Sequence, residues 1–390
     1  MKNTARSSMH LSNPQNDTVC TQPILEPTAK KRHQLISPAG DGLYPRLPEE
    51  LILDILLRLP VRSLLQFKRV CKSWKTLISD PQFAKTHLRI STAKPTLTHQ
   101  RLVFFDLENS LKIVFCPLKP LFENPSTPVK PISCRMKHEY YISGSCNGLL
   151  CLYHKSQNCF RLCNPSIIFK SKKSPSHDWM LSYHGFGYDH VNDKYNVLLV
   201  VKNKDNLSET LTKIYTFGED SWKIIQNFPR SFATNFQGKF VSGTLNWIVN
   251  KKEGCSKQRV ILSFDLAKET FMEVLLPKDG NDICTSRKLC VSNNCLYVCE
   301  FYISGDFRWV YWLMKEYGVV ESWTKLMIIS NSGLLNPLFI SENGCVLVDG
   351  FTSKLIRYNL YSGEFDYPCI LRSSFLRLNQ HIYCESLVSL

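Results

Sequence analysis

Sixteen cysteines and ten histidines are the side chains of this 390-residue chain most able to do chemistry. The sharpest constellation is Gly144-Ser145-Cys146-Asn147-Gly148, which has the G-x-C-x-G form of a nucleophile elbow. An elbow lifts its nucleophile on a strained turn between a strand and a helix. Here an apolar run, Leu149-Leu150-Cys151-Leu152-Tyr153, follows and reads as a strand. Asn147-Gly148 is better explained as a tight hairpin turn, where both residues tolerate positive φ. Gly185-Phe186-Gly187 lacks the third glycine of a dinucleotide loop and opens no helix. His177, His184 and His190 are spaced 7 and 6 apart, which matches no motif that places them on one face. Asp189, Asp193, Asp265 and Asp349 adjoin turns, where aspartate bonds its own backbone. No C-x-x-C pair occurs, and the densest group, Cys284, Cys290, Cys295 and Cys299, falls on strand-like sequence. Buried thiols behave there as small hydrophobes. These residue types predict no catalytic constellation, no metal and no cofactor.

The totals narrow the class. A 44% hydrophobic content supports a large core, and the net charge of +15 permits an acidic protein surface or a nucleic acid as partner. The excess is spread along the chain, without Lys/Arg blocks interleaved with aromatics, which argues against nucleic acid. No apolar leader core and no run of roughly 18–20 apolar residues occurs, so a soluble protein of a reducing compartment, cytoplasm or nucleus, is expected. Lys30-Lys31-Arg32-His33 reads either as a nuclear signal or as a solvated charge cluster.

Three elements must position whatever the chain does. Residues 1–44 are rich in Ser, Thr, Asn, Gln and Pro and are expected to be disordered. Residues 45–90 read as a helical unit. In Leu51–Leu59, seven of nine residues are large and apolar, with only Asp54 and Arg58 interrupting. A helix apolar almost all round must be covered on more than one side. A unit of some forty residues has too little core to do that, so one face is left for a partner protein. Pro48, Glu49 and Glu50 suit the helix start, and Pro60 stops it. A second helix holds Leu64, Leu65 and Phe67, and a third is expected to hold Val70, Cys71, Trp74, Leu77 and Ile78. Asp80-Pro81 then breaks and restarts the chain.

After a linker at 91–98, helical periodicity vanishes from 99 to 390. Runs beginning at Leu102, Leu149, Val197, Leu245, Leu296 and Val346 recur at 47, 48, 48, 51 and 50 residues. A second block repeats downstream as Asp220-Ser221-Trp222, Glu269-Thr270-Phe271, Glu321-Ser322-Trp323 and Gly363-Glu364-Phe365. A period near fifty made of short strands predicts a β-propeller of about six four-stranded blades, against a double-sheet sandwich as the other possibility. The C-terminal run HIYCESLVSL can supply the strand that closes the ring onto Leu102–Pro117.

The stretch 47–83 resembles an F-box. The matching pattern is Leu47-Pro48, Leu51, Ile55-Leu56, Leu59-Pro60, Ser63-Leu64, Val70-Cys71-Lys72-Ser73-Trp74 and Leu77-Ile78. Downstream, SCNGLLCL, LCNPS, FGYD, DKYNVLLV, SGTLNW, ILSFDLAKETF and ESW resemble the F-box-associated, kelch-like domains of plant F-box proteins. The resemblance implies a small three-helix F-box followed by an all-β propeller of about six kelch-like blades. It also implies a non-catalytic subunit of a ubiquitin ligase, docked on a Skp-type adaptor and through it on cullin and RING subunits. Leu47, Pro48, Leu51, Ile55, Leu59, Pro60, Leu64, Val70, Cys71 and Trp74 would build or support the adaptor face, and the propeller would capture an unidentified target protein. Target specificity is expected in inter-blade loops such as 170–182, 202–212, 251–258 and 278–287, because loops on a rigid scaffold carry recognition. Lys172, Lys173, Lys202, Lys204, Lys251 and Lys252 lie there and suit an acidic target surface. The rival reading is a propeller that binds a small molecule or glycan, or is an enzyme, with accessory helices. A polar, concave axial mouth with converging carboxylates or histidines would favour it.

Overall fold

The computed structural model describes residues 47–390 except 94–95, 107–110, 178–179, 204–205, 207–208, 227, 230–231, 234–235, 254–255, 278–283, 304–306, 331–334, 351–354 and 372–376. The disorder expected for 1–44, the cluster at 30–33 and Lys204 lie outside the described residues, as do the side chains of Lys251 and Lys252.

The helical unit has four helices where three were expected: α1 (Glu49–Leu57), α2 (Val61–Phe67), α3 (Lys72–Ser79) and α4 (Pro81–Ala93). Pro48 and Pro60 sit just before α1 and α2, where a missing N–H costs no helical bond. The expected stripe of Val70, Trp74, Leu77 and Ile78 does not lie on one helix. The chain leaves α2 in a turn, Val70 N–H donating to the Phe67 carbonyl, and Cys71 is extended (φ −154°, ψ 166°) before α3 begins. Asp80 then starts α4, its carboxylate accepting the N–H groups of Gln82 (2.7 Å) and Phe83 (3.2 Å). α4 runs past the expected boundary at 90 because Phe83, Ala84, His87 and Ser91 form a buried stripe at helical spacing. Leu56, Leu57, Val61, Leu64, Ile78, Phe83 and Ala84 build the core of the unit, joined by Leu387 from the far end of the chain.

Six antiparallel sheets form the propeller, so the blade count read from the period is correct. The innermost strands are Arg377–Cys384, Tyr140–Cys146, Met180–Asp189, the broken pair Phe232–Ala233 and Lys239–Val241, Cys284–Ser292 and Leu335–Ile340, for blades 1 to 6 in turn. They neighbour one another around the axis. The six recurring apolar runs each occupy the second strand of a blade. That strand is covered on both faces by adjacent blades, so it is apolar without alternation: Leu102, Val103 and Phe104 in blade 1 and Val197–Val201 in blade 3 are all buried. Six apolar clusters fill the six gaps between blades. The ring closes as the C-terminal run predicts: Arg377–Cys384 pairs antiparallel with Gln100–Asp106, from Gln100 opposite Cys384 to Asp106 opposite Arg377.

Antiparallel order gives the propeller two distinct ends. Turns from strand 1 to 2 and from strand 3 to 4 lie at one end, and turns from 2 to 3 and links between blades at the other. The helices sit at the first end, against Ser166–Ile168 and the Asp193 turn, with Lys85 Nζ 2.5 Å from Asp193. The C-terminal segment lies between the two parts. Glu385 is buried and pairs with Arg101 of blade 1 (2.9 Å) and Arg62 of α2 (3.6 Å). Asn164 of blade 2 donates to the Ser386 and Val388 carbonyls (3.0 and 2.8 Å). Asn147 (φ 53°) and Gly148 (φ 78°) make the predicted two-residue hairpin turn beneath this segment. A Cβ on Gly148 would lie 2.2 Å from Ser386 Oγ and 2.7 Å from the Cys384 carbonyl. Gly148→Ala is therefore expected to destabilise by about 1–3 kcal/mol through overpacking, read as a lowered melting temperature. An unchanged melt would show that the segment yields freely.

Candidate functional site

α1 carries apolar side chains on two faces. Leu56 and Leu57 face the helical core, whereas Leu47 (57% exposed), Leu51 (51%) and Ile55 (48%) face solvent with Pro48. Positions 51 and 55 are one helical turn apart and share one side of α1, and Leu47 and Pro48 lie just before its first turn. Val70 is also exposed (63%), beside exposed Cys71. The Ser73 hydroxyl, 3.1 Å from the Cys71 sulfur, and the Trp74 backbone N–H hold that thiol below its ordinary range. Leu59, Pro60 and Trp74 are half-buried, Trp74 packing edge-on against Phe67 at 5.4 Å, and Leu64 is fully buried. The ten residues thus divide into an outward set and a supporting set. Lys68 and Arg69 line the cleft between the helices and the propeller, and burial, with Lys75 adding to it, holds the Lys68 ammonium below its usual range.

At the opposite end, the axial opening widens into a cavity of about 1110 Å³. Its charged lining is Lys155, Lys239, Lys288 and Asp349, three cations against one carboxylate. Asp349, near the end of its strand, lines this mouth. His184 reaches the axis because its backbone is clamped across two blades: its N–H donates to the Phe236 carbonyl (2.9 Å), and Gly238 N–H donates to its carbonyl (2.7 Å). Below lies a smaller cavity of about 230 Å³, lined by His381, Gln237 and the Gly144–Gly148 motif. Cys146 is buried there, and burial pushes its thiol well up; Cys290, on the other side, is pushed up to about 11. Such thiols are protonated and poor nucleophiles. The expected role of Asp189 and Asp265 at turns is as seen, each accepting two backbone N–H groups just downstream.

Burial and Lys239 hold His184 down to about 4, and burial, Lys239 and His184 hold His381 down to about 3. Unfolded, both return to about 6.5. Below that pH the unfolded chain binds more protons than the folded one, so stability present at neutral pH is lost as pH falls toward 4. The slope is up to about 1.4 kcal/mol per pH unit for each histidine. Melting temperatures should drop between pH 7 and 5, and drop less in the His184→Gln, His381→Gln double variant. An identical drop in both proteins would remove these histidines from the explanation.

The loop lysines are placed unevenly. Segments 202–212 and 251–258 are hairpins within blades 3 and 4, not links between blades, because strand pairing runs up to Lys202–Thr210 and Glu253–Ser256. Lys172, exposed, and Lys173, bonded to Gln157 (2.9 Å), lie on the link from blade 2 to blade 3. With half-buried Lys202 they stand at the end remote from the helices. The axial lysines 155, 239 and 288 escaped the sequence reading. They are scattered over three blades, and only the ring brings them together.

Comparison with known proteins places these two parts in a common context. Residues 45–86 match the F-box domain family model, and residues 101–325 match that of the F-box associated beta propeller domain. The chain is 32% identical over 356 residues to the F-box/kelch-repeat protein At3g23880 of Arabidopsis thaliana, covering 88% of this chain and 95% of that one. It is 26% identical to the F-box protein At3g07870 (84% of this chain, 88% of the relative). It is also 26% identical to the F-box protein CPR1 (81% and 82%), both from the same plant.

Proposed function

The chain belongs to the F-box proteins that carry an F-box-associated β-propeller domain, and on that premise we propose that it is the substrate-recognition subunit of a Skp–cullin–F-box ubiquitin ligase. The observation that carries this reading is the exposed apolar set of Leu47 and Pro48 at the start of α1 and Leu51 and Ile55 on it, a helix whose other face already packs in a core. In this reading Val70 and Cys71 extend the adaptor face. Leu59, Pro60, Leu64 and Trp74 hold it in shape. The propeller presents a target at its opposite end, and Lys172, Lys173 and Lys202 add to a positive surface there. The subunit forms no covalent bond. It raises the effective concentration of a target lysine near a ubiquitin-loaded enzyme, turning a bimolecular encounter into a local one.

The test is reconstitution of the full chain with purified Skp-type adaptor, cullin and RING subunits, followed by affinity capture from cells under proteasome inhibition. Proteins captured by the chain should gain ubiquitin in the reconstituted system and accumulate when the adaptor face is mutated. A chain that binds no adaptor, or whose captured proteins neither gain ubiquitin nor change in abundance, would sink the assignment. If the lysines contribute, capture weakens as salt rises, since exposed charges are screened within about 8 Å at physiological ionic strength.

A further inference from the structure

The axial mouth is built differently from an empty central pore. Lys239 points into it with no hydrogen-bond or ion-pair partner among the described residues. His184 Nδ1 and both polar atoms of the Gln380 amide are buried and likewise without partners among the described residues. Buried polar groups are almost always satisfied, so these groups are open to bonding a ligand that enters the cavity in place of solvent. Of these atoms Lys239 Nζ and the Gln380 amide nitrogen are donors, the Gln380 carbonyl is an acceptor and His184 Nδ1 can be either, while Lys155, Lys239 and Lys288 outweigh the single carboxylate, Asp349. The lining is therefore short of negative charge. Around it the rim is apolar: Phe236 (75% exposed), Met180 (49%) and Tyr141 (38%) border the same cavity.

We infer that this mouth binds an acidic segment of the target protein, with an aspartate or glutamate carboxylate seated on Lys239 and the inward donors, and a neighbouring large apolar side chain on Phe236 and Met180. The inference rests on the propeller being the target-capturing domain and names the chemistry it captures. A cavity of about 1110 Å³ admits several side chains of a peptide loop. The apolar rim beside a cationic floor fits a peptide that alternates the two characters better than it fits a bare inorganic anion. The helices lie at the other end of the axis, so a segment entering here meets no part of the adaptor-binding unit.

The test pans a random dodecapeptide phage library against the full chain, alone and copurified with a Skp-type adaptor, at low salt. Enriched peptides should carry Asp or Glu beside Phe, Leu, Met or Trp. A synthetic copy of an enriched peptide should lose roughly ten-fold or more in affinity when its acid becomes the amide, as for loss of a charge-assisted hydrogen bond. Lys239→Met should cause a similar loss, and Lys239→Arg a smaller one. No enrichment of acidic residues, or equal affinity of acid and amide peptides for the unaltered chain, overturns the proposal. That comparison needs no variant, so it holds even if Lys239→Met fails to fold. Binding of inorganic phosphate with the same Lys239 dependence, in the absence of any peptide binding, overturns it in favour of a small-anion site. Failure to copurify with adaptor, with the acidic preference intact on the chain alone, would count against the ligase reading and leave this one standing.

Discussion

The Pro48→Ala, Leu51→Ala, Ile55→Ala triple variant is expected to lose adaptor binding while keeping its fold. All three side chains are exposed, so shortening them removes nothing from the helical core, and substitutions of this kind usually stay within about 0.5 kcal/mol in stability. Docking buries what is now exposed. Full burial of a Leu or Ile contributes about 1.5–3 kcal/mol, and Leu51 and Ile55 are about half exposed. With Pro48, the combined loss is on the order of 2–4 kcal/mol, or roughly 30- to 1000-fold in affinity. Copurification and calorimetric titration with adaptor read the affinity, and a thermal melt reads the fold. The control is Leu64→Ala, which empties a fully buried position and costs about 2–5 kcal/mol of stability. It should lower the melting temperature, which the triple variant should not. Equal adaptor binding by the wild type and the triple variant would place the docking face elsewhere.

Deleting residues 377–390 is expected to abolish cooperative folding of the whole chain. The segment supplies the closing strand of blade 1, and without it the Gln100–Asp106 ladder becomes an open edge. It also withdraws Tyr383, Leu387 and Val388, all buried, from three separate cores: blades 1 and 2, the helical unit, and blades 2 and 3. Losing each such side chain costs about 2–5 kcal/mol. Their sum of roughly 6–15 kcal/mol already matches the total stability of a typical protein, about 5–15 kcal/mol. Soluble yield and far-ultraviolet circular dichroism through a thermal ramp report the outcome. A truncated chain with a sharp melt near that of the full chain would show that the ring does not need its closure. Leu387→Asp is the narrower probe, expected to loosen the helical unit while leaving the blades paired. The same contacts explain why removing 45–90 is a poor way to isolate the propeller: it would bare Leu387.

Much of this architecture is legible in order along the chain. Strand runs buried on both faces show up as unbroken apolar stretches, so the period near fifty reports blade spacing directly. The doubled apolar face of α1 is equally local, because both faces lie on nine consecutive residues. Local reading failed where a residue's neighbours in sequence are not its neighbours in space. Val70 and Cys71 carry helix-like spacing, yet the backbone between α2 and α3 turns there and presents them outside any helix. α4 was missed past residue 90 because its buried stripe contains His87 and Ser91, polar residues that a hydrophobic pattern does not count. His87 is tolerated inside because its Nε2 donates to the Leu59 carbonyl at 2.8 Å.

Alone, the sequence determined the helical docking unit, the six-fold repeat, the turn at Asn147-Gly148 and the use of the C-terminus as a closing strand. Each is a matter of which side chains follow one another, and propensity and periodicity act at that range. Only the tertiary structure decided which end of the ring carries the helices, and which polar groups meet at its axis. Gln237 and His381, 144 positions apart, approach to 3.3 Å there, beside Lys239 from one blade and His184 from another. Such a meeting depends on the ring's curvature and on the register of every blade between them, and no local pattern of residues encodes that sum.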